Sequence, residues 1–181
     1  MGGLKPLREL CGETLAERML AWAKAQSDLV AFAVREPGQV PGWGCPLLID
    51  RHCGIGPISA LASAFEFAQI AGREFVLLVG CDQPFLPDDL TVRLLAAIGD
   101  RGAAMPARLG QEQPLATLWR TDPASLSAYM AKGGQSLRRF AHDIGAAIAE
   151  WPAEAGDDPF LNVNDPSALA EAERQIRMGA R

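Results

Sequence analysis

The stretch Phe75-Val-Leu-Leu-Val-Gly-Cys-Asp82-Gln-Pro-Phe85 decides how the rest of the chain is read. Its apolar run has no polar alternation, as in strands buried on both faces of a parallel sheet. It ends abruptly at glycine, cysteine and aspartate. In open α/β sheets, ligands bind beyond the carboxyl ends of the strands. A carboxylate at that point is a candidate Mg²⁺ ligand, because Mg²⁺ takes one or two carboxylates together with phosphate oxygens and water. The competing role for Asp82 is a turn or cap aspartate before Pro84.

Outward from this strand, apolar runs alternate with helical patterns. Residues 14–26 read as a helix with Leu15, Met19, Leu20 and Ala23 on one face. Strands are expected at Leu29–Val34, Pro46–Ile49, Glu74–Val79, Ala103–Pro106, Leu115–Trp119 and Ala146–Trp151. Helices are expected from Pro57 to about Ala71, from Pro87 to about Ile98, and over Pro123–Ala131, Ser136–His142 and Pro166 to about Met178, the last capped by Asp165. This alternation predicts one α/β domain over residues 1–181, with a largely parallel central sheet.

Composition narrows the function. The chain has 181 residues, 49% of them hydrophobic, which is enough for a packed core. Its 17 basic and 22 acidic residues give a net charge of -5, which argues against nucleic-acid and membrane-surface binding. The four cysteines, Cys11, Cys45, Cys53 and Cys81, form no CxxC pair, and His52 and His142 are far apart, so a zinc site is not expected. Free thiols and the lack of a long apolar run lead to the expectation of a cytoplasmic protein with no membrane partner.

Other positions have weaker signals. Asp50 closes the strand Pro46-Leu-Leu-Ile-Asp50 and suits a ribose, a base or a metal, or a loop cap. Gly54-Ile-Gly56-Pro57 leads into a helix N-terminus, where anions are favoured. Met1-Gly-Gly-Leu-Lys5 could place an ammonium on a phosphate, or be a frayed terminus. In Asp158-Pro-Phe-Leu-Asn162-Val-Asn164-Asp165, the two asparagines share a side if the segment is extended. Gln113-Pro114 and Gly133-Gly-Gln-Ser-Leu-Arg138 are lesser candidates, with Arg138 or Arg139 facing an anion or solvent.

The ordered series Met-Gly-Gly-x-Lys5, strand–Asp50, Gly54-x-Gly-Pro57, Cys81-Asp-x-Pro-Phe-Leu-Pro87, Gln113-Pro114 and Asp158-Pro-Phe-x-Asn-Val-Asn164 resembles the molybdenum cofactor guanylyltransferases. The resemblance implies a Rossmann-like nucleotidyltransferase fold with helices on both faces of a mostly parallel sheet. It implies transfer of GMP from GTP to the molybdopterin cofactor, with Mg²⁺ as cofactor. A molybdoenzyme or chaperone would then take the product. Asp82 would hold Mg²⁺ and the GTP phosphates, and Lys5 would stabilise phosphate charge. Gly2 and Gly3 would end the nucleotide loop, Asp50 would lie in the nucleotide site, and Asn162 and Asn164 on the pterin or metal side.

The chain also departs from the family. Members begin with a strand and a Leu-Ala-Gly-Gly loop that this sequence lacks, so the natural chain is expected to start upstream of Met1, with a short inactive chain as the alternative. Lys5 is one residue nearer Gly3 than usual. Phe32 stands where asparagine is often found and is expected to serve the core. Two further readings stay open: a cytidylyltransferase or other small-molecule transferase, and a non-catalytic relative that binds the cofactor.

Overall fold

The computed structural model describes residues 5–41, 43–50, 54–152 and 158–179. The chain divides into two compact units. The first comprises Met1–Val30, Gly80–Leu90 and Glu154–Arg181; the second comprises Ala31–Val79 and Thr91–Ala153.

In the first unit, a 3₁₀ turn at Lys5–Leu7 leads to strands β1 (Glu9–Leu10) and β2 (Glu13–Thr14). These pair antiparallel around Cys11 (φ 54°) and Gly12 (φ 85°), two left-handed residues as a tight hairpin needs. Helix α1 (Leu15–Gln26) starts at once because Thr14 and Glu17 form a capping box. The Thr14 hydroxyl accepts from the Glu17 N–H at 3.2 Å, and the Glu17 carboxylate accepts from the Thr14 N–H at 3.0 Å. Leu15, Ala16, Met19 and Leu20 are its buried face. Leu10, Leu15, Val163 and Ala172 form the centre of this unit's core.

The second unit opens with β3 (Phe32–Val34) and β4 (Leu47–Ile49), a short parallel pair. Both are shorter than expected, and Phe32 is half-buried, with its ring 5.6 Å from that of Trp43 rather than inside the main core. Helix α2 (Pro57–Ile70) follows, with Pro57 in its first turn and Ile58, Leu61, Phe65 and Ala68 buried at helical spacing. It contacts β3, β4 and β5 (Phe75–Val79). Among the described residues, β4 pairs only with β3 and β5 only with β8, so each leaves one edge unpaired.

Next come α3 (Leu90–Ile98), β6 (Ala103–Arg108), β7 (Gln111–Glu112) and β8 (Ala116–Arg120). Helix α4 (Pro123–Ala131), α5 (Leu137–Asp143) and β9 (Ala147–Trp151) complete the second unit, and α6 (Pro166–Arg177) belongs to the first. Helix α3 begins at Leu90 rather than Pro87.

The expectation of a largely parallel sheet needs correcting. In the sheet β5-β8-β6-β7 with β9 beside β6, only β6 and β9 pair in parallel. The other three pairings are antiparallel. Chain length is the cause: a parallel crossover needs a dozen or more residues, and too few lie between β6 and β8. Leu109 (φ 51°) and Gly110 (φ 74°) turn the chain back, and β8 inserts between β5 and β6. Strands β5, β6 and β9 still point the same way, as their helical connections require.

Ile58, Leu61, Phe65, Met105, Trp119, Leu126 and Phe140 are fully or almost fully buried in the second unit's core. The Trp119 and Phe140 rings stack at 5.7 Å, and Tyr129 lies 5.2 Å from Phe140. Each large apolar side chain buried here contributes about 1.5–3 kcal/mol.

Candidate functional site

Asp82 lies in the turn just after β5, partly exposed and within the first unit. Its carbonyl accepts a hydrogen bond from the Val163 N–H at 2.7 Å. That bond brings together two of the motifs read from the sequence, Cys81–Pro87 and Asp158–Asn164. Val163 is fully buried, Asn162 is intermediate and Asn164 is exposed. Residues 161–164 form no strand, and the Asn164 N–H bond to the Asn162 carbonyl turns the chain at Val163, so the extended alternation expected from the sequence is not what positions the two asparagines.

Local chemistry fixes the asparagine segment. The Asp158 carboxylate accepts from the Phe160 N–H at 3.0 Å, closing a turn that sets the buried Phe160 ring. The Asn162 side-chain amide donates to the Phe160 carbonyl at 3.4 Å, and the Asn164 N–H donates to the Asn162 carbonyl at 3.0 Å. Asp165 caps α6 by accepting from the Ala168 N–H at 2.9 Å, so the capping role falls to Asp165.

Asp50 belongs to the second unit. It ends β4, and its N–H donates to the Val34 carbonyl at 2.8 Å. Gly54 and Gly56 have φ of 88° and 78°, and Gly56 caps α2 with no side chain bonded to the helix end. Lys5 opens the 3₁₀ turn. The readings for Gly2 and Gly3, and for the Lys5 side chain, lie outside the described residues.

The lesser candidates have structural partners. Arg138 pairs with Glu112, and so does His142 at 3.0 Å. The Glu112 side chain is only 13% exposed. Burial raises its pKa, but hydrogen bonds from His142 and Arg138 and their charges more than offset this, holding the carboxyl below its ordinary value. The Gln113 N–H donates to the Pro106 carbonyl at 2.8 Å, which closes the turn before β8. Gly133 and Gly134 end α4, and a Cβ at Gly134 would meet the Tyr129 ring at 2.4 Å. A cavity of about 560 Å³ between α2 and α4 is lined by Ile55, Ala62, Glu66, Leu126, Met130 and Gln135. Of the candidates named from the sequence, Gly133, Gly134 and Gln135 line it; Asp50, Asp82, Asn162 and Asn164 do not.

Sequence reasoning missed Gln83. Its side chain is 1% exposed, and its Oε1 is shielded from solvent with no donor among the described residues. An acceptor left in that state costs about 1–3 kcal/mol. Only its place next to Asp82 hinted at a role.

The donor set can be tested against a metal. Among the described residues, no group of three histidine, cysteine, aspartate or glutamate side chains is arranged to hold an ion. Asp82 offers one hard carboxylate. That does not suit a protein-caged ion, but it suits one that arrives on substrate phosphates. No helix of the described residues is long and apolar enough to cross a membrane.

Comparison with known proteins follows the same lines. Residues 1–148 match the MobA-like NTP transferase domain. A molybdenum cofactor guanylyltransferase of Rhodopseudomonas palustris strain BisB5 is 36% identical, the match covering 96% of this chain and 86% of that protein. One of the same name from Rhodobacter capsulatus is 35% identical over 99% of this chain and 92% of its own. Among solved structures, molybdopterin-guanine dinucleotide biosynthesis protein A from Archaeoglobus fulgidus superposes with a TM-score of 0.73 at 17% identity, covering 96% of this chain and 91% of that one. A 2-C-methyl-D-erythritol 4-phosphate cytidylyltransferase from Thermus thermophilus gives 0.72 at 22%, covering 97% and 95%. At those identities the structures establish the fold alone, the Rossmann-like nucleotidyltransferase α/β fold. The family model and the sequence relatives carry the assignment further: the chain belongs to the MobA-like NTP transferases, among the molybdenum cofactor guanylyltransferases.

Proposed function

We propose that this protein transfers GMP from GTP to the molybdopterin cofactor in the cytoplasm, forming the guanine dinucleotide and releasing pyrophosphate. The observation that carries this reading is the Asp82 turn bonded to Val163 between Asn162 and Asn164, in a chain 36% identical to a guanylyltransferase. A phosphate oxygen of the cofactor attacks the α-phosphorus of GTP, and the bond to the β-phosphate oxygen breaks. In-line phosphoryl transfer depends mainly on positioning and charge stabilisation. When bound, Mg²⁺ supplies positive charge to the triphosphate.

Asp82 is the residue that would hold the ion and thereby fix the triphosphate. Lys5 neutralises phosphate charge, and Gly2 and Gly3 let the nucleotide approach the backbone. Asp50 serves the nucleotide site. Asn162 and Asn164 offer amides on the pterin or metal side.

The test supplies molybdopterin, Mg²⁺ and either GTP or CTP, and follows pyrophosphate release and the dinucleotide by mass. Product from GTP is expected. Equal or better use of CTP sinks the guanine assignment. No product from either nucleotide sinks the enzyme reading.

A further inference from the structure

We infer that Gln83 is a positioning residue for Asp82: its carboxamide gains its hydrogen bonds in the substrate-loaded form and so holds the Asp82 carboxylate in place. This rests on the reading of Asp82 given above.

Three observations carry it. First, the Gln83 side chain is 1% exposed, and its Oε1 has no donor among the described residues. A position that needed only packing would be served as well by leucine or methionine, which leave no polar atom unsatisfied. Second, the backbone on both sides is held. The Asp82 carbonyl is bonded to the Val163 N–H, and Pro84 fixes the next φ. Gln83 therefore has little freedom to turn outward and find water. Third, it is the immediate neighbour of Asp82. With that backbone held, a small turn of the Gln83 carboxamide about its own side-chain torsions, as phosphate charge gathers at the Asp82 carboxylate, changes which groups face the buried amide. An acceptor unsatisfied in the free state and satisfied in the loaded state stabilises the loaded state selectively.

The test compares wild type, Gln83→Met and Asp82→Asn as full chains. Three quantities are read: the melting temperature without ligand, the affinity for Mn²⁺–GTP by titration, and kcat for dinucleotide formation. For Gln83→Met, the expected melting temperature equals or exceeds that of wild type. Mn²⁺–GTP affinity falls about tenfold, in line with one lost hydrogen bond, and kcat falls with it while KM for molybdopterin is kept.

Unchanged Mn²⁺–GTP affinity in Gln83→Met overturns the positioning role. So does a lower ligand-free melting temperature, which would mean that the amide acts in the free protein. If wild type and Asp82→Asn bind Mn²⁺–GTP equally, the reading of Asp82 fails and this inference falls with it. That result is distinct from one in which only Gln83→Met matches wild type.

Discussion

The two compact units divide the work unequally. The second is built around a five-stranded sheet, an extended ladder with a broad aromatic and aliphatic core. The first is assembled from three separate stretches of chain, with one two-residue hairpin and a small core. Yet Asp82, Asn162, Asn164 and the Lys5 turn all belong to the first. Segments with few ladder bonds open locally at lower free energy than sheet cores. Of the residues proposed for the chemistry, all but Asp50 therefore belong to the unit where adjustment costs least.

The contrast predicts where damage falls. Phe140→Ala removes the ring between Trp119 and Tyr129. It is expected to lower stability by about 3–5 kcal/mol in a denaturant titration. A loss under 1 kcal/mol would mean that the aromatic stack is not the centre of the second unit. Asp82→Asn should do the reverse. Turnover is expected to fall ~100-fold or more, on the scale of losing one preorganised electrostatic contact. The denaturation midpoint should stay within error; surviving activity would remove Asp82 from the centre.

Smaller effects sharpen the picture. Thr14→Ala breaks the capping box of α1 and should cost about 1 kcal/mol. Hydrogen exchange should show that cost in the first unit before the second. If both units respond equally, they do not open separately. Last is Glu112. Its carboxyl is depressed in the folded state, so its contribution is present above the ordinary value of 4.5 and is lost as pH falls through the lower folded value. Melting temperature against pH should fall in that acid range for wild type and be flatter for Glu112→Gln. Identical profiles would show that the His142–Arg138 cluster does not stabilise the fold.

Much of this was legible in the sequence, and the exceptions have identifiable causes. Helix α4 was expected at its observed bounds because Asp122, Pro123 and the lysine–glycine end are local signals. The capping role of Asp165 was readable for the same reason. The hairpins were not: Cys11-Gly12 and Leu109-Gly110 put cysteine and leucine at left-handed positions that usually take asparagine, aspartate or glycine. Missing the second turn hid the antiparallel course of β8 in a sheet expected to be largely parallel. In the proposed site, the place of Asp82 just after an apolar strand was legible because strand ends follow from backbone geometry. The Glu112 cluster and the buried Gln83 were not, since burial and cross-chain partners exist only after folding.

The unpaired edge of β5 has a bearing on how the protein behaves at concentration. Phe75–Val79 contains no lysine, proline or other charged residue to guard that edge. Among the described residues no strand pairs with that edge, so its amides and carbonyls offer a template for another extended chain, including a neighbouring molecule. That row of backbone groups therefore bears on solubility alongside the net charge of -5, and dilution would limit its self-pairing.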